Sequence, residues 1–185
     1  MKRSPLLLDR RKTCLVVVDI QERLLAVITC KEAMLQNTIR LIKGAAILGL
    51  PVLITEQYPK GLGKTVQDIL DALAPVPPFE KLTFSACGSD HFLASLKSQK
   101  RAQIVLCGIE AHVCVLQTCL ELISEGFYVF VAADAIASRA PENQLLALDR
   151  MRSAGAAIIS TEMALFEMLE QAGTPEFKQI RDLVK

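Results

Sequence analysis

The sequence predicts an α/β fold, a three-layer α/β/α sandwich built around a six-stranded, mostly parallel sheet. Two observations support this prediction. Short runs rich in Val, Ile and Leu alternate with longer amphipathic segments along the 185 residues, and this alternation is typical of parallel strands joined by helices. The first run, TCLVVVD (13–19), is almost continuously apolar until its final carboxylate, as expected for a central strand that helices cover on both faces.

Strands and helices are expected to alternate along the whole chain. The predicted strands are 13–19, 51–55, 79–84, 102–108, 128–134 and 156–161. The predicted helices are 32–49, a short segment ending near 73, 89–99, 111–125, 141–155 and most of 162–184. Gly49 and Pro51 end the first long helix, Ser89 has the side chain of an N-cap, and Gly126 closes the fourth helix. Residues 56–64, rich in Gly and Pro, are predicted to form a loop.

The composition indicates one globular domain over residues 1–185. Hydrophobic residues make up 51% and charged residues 22% of the chain, which excludes an intrinsically disordered protein. The formal net charge is +1 and like charges form no long block, so no nucleic-acid or membrane partner is predicted. The apolar run Leu6–Leu8 is too short for a signal peptide, and no run is long enough to span a bilayer. We therefore expect a cytoplasmic protein.

The six cysteines predict neither a disulfide framework nor a zinc site. They occupy positions 14, 30, 87, 107, 114 and 119 without a C-x-x-C pair. Cys14 and Cys107 lie in predicted buried strands, where a reduced thiol packs as a small hydrophobe. His91 and His112 are the two histidines, too few for a Cys/His zinc cage. No metal and no cofactor are expected.

Three reactive side chains lie at or near the carboxyl ends of predicted strands, where α/β sheets bind their ligands. Asp19 ends the first strand, Lys81 lies within or just after the third, and Cys114 opens the helix after the fourth. Each also has a structural interpretation. Asp19 can cap the next helix, Lys81 can be a solvated edge residue, and Cys114 can be a core thiol. The spacing alone leaves open whether the three meet.

Together, these residue types suit nucleophilic attack on a carbonyl. A thiol at a helix N-terminus, beside an ammonium group, is favoured as the thiolate. The carboxylate could receive the thiol proton and return it to a leaving group, and backbone N–H groups in the turn 109–114 could hold an oxyanion. On this basis we expect Lys81 to lower the pKa of Cys114 and Cys114 to react with iodoacetamide before the other cysteines.

Several motifs resemble those of the isochorismatase-like cysteine hydrolases, in that family's order. They are DIQERLL after the first strand, KLTFSAC around Lys81, GIEAHVCVLQTCLEL around Cys114, and VAADAIASRAPENQLLALDRMRSAGA downstream. The resemblance covers nearly the whole chain and is strongest to the small isochorismatase-domain branch. It implies an isochorismatase-like, Rossmann-like fold with a catalytic triad of Asp19, Lys81 and Cys114. It also implies a non-proline cis peptide between Ile109 and Glu110, and an oxyanion hole formed by the backbone N–H groups of Glu110 and Cys114.

Two departures from the family's pattern narrow the expected function. Nicotinamidases of this superfamily hold a metal with an Asp-x-His motif after the second strand, where this chain has Gln57 and Pro59. True isochorismatases can lack the nucleophilic cysteine, which is present here as Cys114. The prediction is therefore a metal-independent cysteine hydrolase of a small amide or related carbonyl compound, acting through a thioester. The alternative is a catalytically silent thiol sensor or small-molecule-binding oligomer of the same fold.

The remaining expectations concern the surroundings of this site and the assembly. Gln21, Gln57, Tyr58 and Phe84 are candidates for lining the substrate pocket. Asp134 is expected to cap its own turn, and His112 to point away from Cys114 because residues two apart on a helix face different sides. The mean hydropathy of +0.34 is high for so short a chain and predicts a homo-oligomer, at least a dimer. The resemblance to oligomeric relatives agrees.

Overall fold

A computed structural model, which describes residues 3–29 and 31–185, confirms the α/β fold. Six strands form one sheet and every pair of neighbours is parallel. The strands are β1 (Thr13–Val18), β2 (Val52–Gln57), β3 (Phe79–Lys81), β4 (Gln103–Ile109), β5 (Tyr128–Ala137) and β6 (Ala157–Ile159). Their spatial order is β3-β2-β1-β4-β5-β6. The order reverses between β1 and β4, and the crevice beyond such a switch point is where open α/β sheets bind ligands.

Helices cover both faces of the sheet. They are α1 (Glu22–Leu25), α2 (Lys31–Leu48), α3 (Pro59–Leu62), α4 (Gln67–Ala72), α5 (Asp90–Ser98), α6 (Leu116–Ser124), α7 (Pro141–Ser153), α8 (Thr161–Leu169) and α9 (Pro175–Val184). Residues of α2, α4, α8 and α9 share one hydrophobic core, whereas α5, α6 and α7 contribute to a second core on the opposite face. Among the described residues, no helix has both the length and the apolar character needed to cross a membrane.

The central strand β1 explains why its sequence is apolar without alternation. Leu15 and Val17 belong to one core, while Cys14, Val16 and Val18 belong to the other. Successive side chains of a strand point to opposite faces, so a strand between two helical layers needs apolar residues at every position. The thiol of Cys14 is fully buried and unpaired, in agreement with the predicted reduced state.

Local differences from the expected elements lie mainly near the carboxyl ends of the strands. Strand β2 continues to Gln57 and a short helix, α3, follows, so residues 56–64 are not simply a loop. Pro59 occupies the first turn of α3, a position that its fixed φ suits. Strand β3 stops at Lys81 and does not reach residue 84, and the last helical region divides into α8 and α9.

Two capping residues have the roles expected of their side chains, although one caps a different helix. Ser89 accepts a hydrogen bond from the backbone N–H of Phe92 and caps α5, as predicted. Asp134 is structural, but it does not cap its own turn. Its Oδ1 accepts hydrogen bonds from the backbone N–H and the hydroxyl of Thr161, at 2.8 and 3.0 Å, and so fixes the start of α8.

Candidate active site

Asp19 and Lys81 form an ion pair in the protein interior. Lys81 Nζ lies 2.7 Å from Asp19 Oδ2, and the two side chains are 1% and 0% exposed. Lys81 ends β3, whereas Asp19 follows β1, so the lysine side chain reaches across the end of β2, the strand between them. A buried charge is costly unless it is paired and hydrogen-bonded. Each of the two side chains therefore needs the other's charge in order to be buried.

The Lys81 ammonium group is fully occupied by protein acceptors. Besides Asp19, its Nζ lies 2.8 Å from Gln57 Oε1, 3.0 Å from the carbonyl oxygen of Phe84 and 3.3 Å from that of Thr83. An ammonium group has three hydrogens, so these four acceptors leave no donor for a substrate. Lys81 can therefore act on chemistry at this site through its charge and by holding Asp19 in place.

The Cys114 thiol lies near the charges of Asp19 and Lys81, which act on its pKa in opposite directions. The pKa of Cys114 is raised to about 12, chiefly by burial; the negative charge of Asp19 and its hydrogen bond to the thiol act in the same direction, and Lys81 opposes them. Lys81 thus acts in the expected direction, but desolvation outweighs it and the expected net depression of the pKa is wrong. The thiol therefore keeps its proton at neutral pH.

The pKa of Cys114 does not distinguish it from other cysteines. Burial also raises the pKa of Cys14, Cys87 and Cys119 to about 12. Cys87 is partly exposed, whereas Cys114 is 5% exposed. The two thiols therefore have similar thiolate fractions at neutral pH, and Cys87 is the more accessible. The expected preferential alkylation of Cys114 thus has no support from either property.

The chain between β4 and α6 carries Cys114 and has an irregular backbone. The Ile109–Glu110 peptide bond is cis, and a π-helical turn (Ala111–Val115) precedes α6. Cys114 lies in this turn rather than in the first turn of a regular α-helix. The backbone N–H groups of Val113 and Val115 both donate to the Glu110 carbonyl oxygen, at 3.1 and 3.2 Å, which tightens the turn around the cysteine.

Gly108 brings β4 into close contact with β1 just before the turn that carries Cys114. Its φ is +124°, and a Cβ at this position would lie 2.1 Å from the carbonyl oxygen of Val18. Residues with a side chain cannot occupy such a position without moving the backbone. The close approach places the residues that follow β1 beside those that follow β4.

Two of the predicted pocket residues have structural positions instead. Gln21 is fully buried; its Nε2 donates to the carbonyl oxygens of Gln57 and Gly63, and its Oε1 accepts from the Gln57 N–H. The Gln57 side chain accepts from Lys81 and donates to the Leu82 carbonyl oxygen. These amides satisfy buried polar groups, so both side chains support the structure around the site.

The other two predicted pocket residues are accessible at the rim. Tyr58 and Phe84 are 50% and 54% exposed, and the neighbouring Leu82 is 77% exposed. Tyr58 is tied to the site because its N–H donates to the Lys81 carbonyl oxygen at 2.9 Å. These apolar side chains lie next to the buried charges and can contact a molecule that enters from solvent.

Sequence reasoning missed Thr55, Ser138 and Arg139. The Thr55 hydroxyl lies 2.6 Å from Asp19 Oδ1, and its two-residue spacing from Gln57 on β2 was the available signal, since such residues share a face. His112 does not pair with Cys114, as expected. Its Nδ1 is 2.9 Å from Ser138 Oγ and 3.4 Å from Glu110 Oε2; because both contact the same nitrogen, they cannot form a relay through the ring.

No metal-binding cluster of three or more His, Cys, Asp or Glu side chains occurs within residues 3–29 and 31–185. An apolar cavity of about 380 Å³ lies far from Asp19, near the amino ends of β2 and β3, with Leu50, Pro51 and Phe79 in its lining. It contains no ionisable side chain in its lining. The chemistry therefore points to the carboxyl ends of β1 and β4 and away from this cavity.

Comparison with known proteins identifies similar chains. Residues 13–163 match the model of the isochorismatase domain. The secreted isochorismatase effector Isc1 of Phytophthora sojae is 38% identical over 177 residues, covering 92% of this chain and 83% of that protein. The structure of the MAR1 ribonuclease of Caenorhabditis elegans superposes with a TM-score of 0.90 at 36% sequence identity. The match covers 96% of this chain and 91% of that one. The YcaC gene product of Escherichia coli, an octameric hydrolase of unknown specificity, shares the fold at 23% identity, with a TM-score of 0.90 over 98% of this chain and 92% of that one.

Proposed function

This chain belongs to the isochorismatase family, and from that premise we propose that it is a metal-independent cysteine hydrolase of a small amide or related carbonyl compound. The observation that carries the proposal is the buried Asp19–Lys81 pair, with the Cys114 thiol near enough for both charges to act on its pKa. A nucleophile close to a base, with a third group that orients the base, is the arrangement that covalent hydrolases share. The position beyond the switch point of the sheet supports the same site.

In the proposed acylation, Asp19 accepts the thiol proton as the sulfur of Cys114 attacks the carbonyl carbon. The backbone N–H groups of Glu110 and Cys114 donate to the oxyanion of the tetrahedral intermediate. Asp19 then gives its proton to the amide nitrogen, the C–N bond breaks, and the amine leaves. The enzyme is left as a thioester at Cys114.

Deacylation uses the same groups in the opposite sense. Asp19 takes a proton from water as the water oxygen attacks the thioester carbon, and the C–S bond breaks when the second tetrahedral intermediate collapses. The proton returns to the sulfur of Cys114 and a carboxylic acid is released. The raised pKa of Cys114 suits this cycle, because the thiol rests in its protonated form and gives up its proton only as the sulfur attacks.

The proposal is tested with a panel of small amides and esters. We expect wild type to hydrolyse at least one class of substrate, Cys114→Ala to abolish that activity, and an acyl group to appear on Cys114 by mass spectrometry. Cys119→Ala is the matched control, because Cys119 is also buried and carries a thiol with a pKa of about 12 without a carboxylate partner. Turnover that survives Cys114→Ala would end the proposal, and so would binding without turnover across the panel, which favours the silent sensor.

A ribonuclease is the second candidate function, because the MAR1 ribonuclease of Caenorhabditis elegans is 36% identical to this chain. Phosphodiester cleavage needs a base for the attacking hydroxyl and a cation near the phosphate, and it needs no thiol. RNA cleavage that persists in Cys114→Ala and is lost in Asp19→Asn would therefore favour this candidate. Without such cleavage, we assign no nucleic-acid partner.

We propose that the protein is a single domain that assembles at least as a dimer. Two leucines on α7, Leu145 and Leu146, are 68% and 69% exposed, and apolar side chains of this size are commonly covered by a second subunit. The octameric YcaC gene product, which shares the fold, is consistent with self-assembly. Light scattering should give at least twice the 20.3 kDa of one chain, and a single-chain mass at micromolar concentration would refute it.

We also propose a cytoplasmic location on the strength of the unpaired thiols, although the Phytophthora sojae relative is secreted.

A further inference from the structure

A second group of polar side chains lies on the β5 side of Cys114, and the proposed reaction uses none of these side chains. Glu110 precedes the turn that carries Cys114, and Ser138 and Arg139 follow the end of β5. Ile109 and Ala137 are register partners on the adjacent strands β4 and β5, so Glu110 and Arg139 begin from neighbouring strand ends. Arg139 Nη1 lies 3.3 Å from Glu110 Oε1.

Glu110 is a buried carboxylate with incomplete pairing. Its side chain is 6% exposed, and among the described residues its Oε2 is a buried oxygen without a hydrogen-bond partner. The 3.4 Å approach of His112 Nδ1 lacks hydrogen-bond geometry, and the same nitrogen is 2.9 Å from Ser138 Oγ. A buried carboxylate requires compensation, and Arg139 is the arginine that provides it.

Glu110 itself does not meet a ligand, because its Oε2 is closed to solvent. It nevertheless lies near the nucleophile, since its charge raises the pKa of Cys114. Its carboxylate therefore acts through a neighbour. Among the described residues, Arg139 is the cation that both pairs with Glu110 and reaches solvent. Its side chain is 62% exposed.

The Arg139 guanidinium keeps donors for a ligand. Its ion pair with Glu110 involves Nη1, and a guanidinium carries five N–H donors in a planar fork that fits a carboxylate with two parallel hydrogen bonds. Glu110 holds one nitrogen of the Arg139 guanidinium, and the rest of the group is open to solvent. Arg139 is therefore pre-organised for such a contact, because it loses less side-chain freedom on binding.

We propose that Arg139 forms a subsite for a carboxylate group of the substrate, with Glu110 as the positioning residue that holds its guanidinium beside Cys114. This inference rests on the proposed function and names its substrate class: small amides, or related carbonyl compounds, that carry a carboxylate. The scissile carbonyl meets Cys114 and Asp19 on one side, and the carboxylate meets Arg139 on the β5 side.

The first test measures binding without chemistry, in a Cys114→Ala background. Succinamate and succinamide are small amides of equal length that differ by one carboxylate. We expect succinamate to bind at least about tenfold more tightly, the scale of one charge-assisted hydrogen bond, and Arg139→Gln to abolish the difference. Arg139→Lys keeps the charge without the fork and should retain only part of it. Equal binding of the two amides, including no binding of either, overturns the subsite.

The second test uses the native thiol. Iodoacetate and iodoacetamide both alkylate sulfur with loss of iodide, and they differ in the carboxylate. We expect Arg139→Gln to slow alkylation of Cys114 by iodoacetate about tenfold and to change the iodoacetamide rate less than about twofold. Arg150→Gln, which removes an exposed arginine from α7, is the control for a general loss of positive charge. An equal effect on both reagents, or an equal effect of the control, overturns the proposal.

Glu110→Gln separates positioning from a structural role. It keeps the size of the side chain and removes the charge that holds Arg139, so it should weaken succinamate binding more than succinamide binding. These outcomes are independent of turnover. A protein that binds succinamate through Arg139 and hydrolyses nothing sinks the proposed function alone, whereas a hydrolase that treats both amides equally in wild type and Arg139→Gln sinks the subsite alone.

Discussion

The Thr55 hydroxyl donates a hydrogen bond of 2.6 Å to Asp19 Oδ1, while Lys81 occupies Oδ2 at 2.7 Å. Both contacts are inaccessible to solvent. Each oxygen of the carboxylate thus has its own partner, and these two hydrogen bonds fix the rotation of the group. Thr55 therefore belongs with the residues that orient the proposed base, although it touches neither the thiol nor the substrate.

Replacing Thr55 with Val should reduce kcat about tenfold with little change in KM. The side chain keeps its shape, but Asp19 Oδ1 loses its donor and the carboxylate can turn away from the thiol. The lost bond to a charged acceptor should also lower the free energy of unfolding by about 1.5–3 kcal/mol. Steady-state kinetics and urea denaturation measure both effects. Thr55→Ser restores the hydroxyl, and failure of this variant to recover kcat would argue against an orienting role.

Lys81→Met should destabilise the fold strongly, because it leaves the Asp19 carboxylate buried without its cation. Breaking one side of a buried pair typically costs about 3–5 kcal/mol. The double variant Lys81→Met with Asp19→Asn removes both charges and should be more stable than the single variant. Urea denaturation of all three proteins gives the comparison. A Lys81→Met protein as stable as wild type would mean that the charge of Asp19 is compensated elsewhere.

Stability should fall as the pH rises above about 9. The pKa of the Cys114 thiol is raised from 9.0 to about 12 in the folded protein, and those of Cys14 and Cys119 are raised likewise. A raised pKa favours the protonated thiol in the native state, so its contribution is complete below pH 9 and is lost as the pH rises from about 9 to 12.

Urea denaturation between pH 8 and 10.5 tests this dependence. Each deeply buried thiol adds up to about 1.4 kcal/mol of lost stability per pH unit above its unfolded pKa. The Cys119→Ala variant should therefore show a shallower decline than wild type, because one such thiol is gone. A curve that is flat over this range, or identical slopes for the two proteins, would contradict burial as the cause of the raised pKa values.

Gly108→Ala should damage both fold and activity. The new Cβ would meet the Val18 backbone at 2.1 Å, and the φ of +124° disfavours any side chain. The two strands that carry the functional residues would have to separate, at a cost of more than about 3 kcal/mol. Gly126→Ala is the control, because Gly126 also has a positive φ of +87° but has open space around it. This variant should lose about 1 kcal/mol of unfolding free energy. Equal melting temperatures for the two variants would contradict the close approach.

Chelators should leave hydrolysis unchanged. In the metal-using relatives a carboxylate stands where this chain has Gln57, and here the Gln57 side chain faces Lys81 at 2.8 Å. An ammonium group at that distance repels a cation, so a metal ion is disfavoured there. Activity before and after dialysis against EDTA provides the measurement. Stoichiometric metal in purified protein that is lost together with activity would refute metal independence.

The amino-acid sequence by itself predicted the alternation of strands and helices and the three candidate catalytic residues. The unbroken apolar run of β1 indicates a strand between two helical layers, because only burial on both faces removes the need for alternation. Asp19 and Lys81 lie at strand ends and Cys114 lies in the turn after β4, and the order of the motifs suggested their grouping. Burial pattern and chain position are local properties, which is why a sequence reveals them.

Only the tertiary structure decided how these residues act on one another. The order β3-β2-β1-β4-β5-β6 places Lys81 two strands away from Asp19, across the end of β2, a relation that no spacing along the chain encodes. Gln21 and Gln57 were predicted to line the pocket. The Gln21 side chain instead forms hydrogen bonds with the buried backbone N–H and carbonyl oxygen of Gln57. The pKa of Cys114 rises rather than falls because desolvation depends on everything packed around the thiol. Pairing and desolvation sum over residues distant in sequence, so they exist only once the chain has folded.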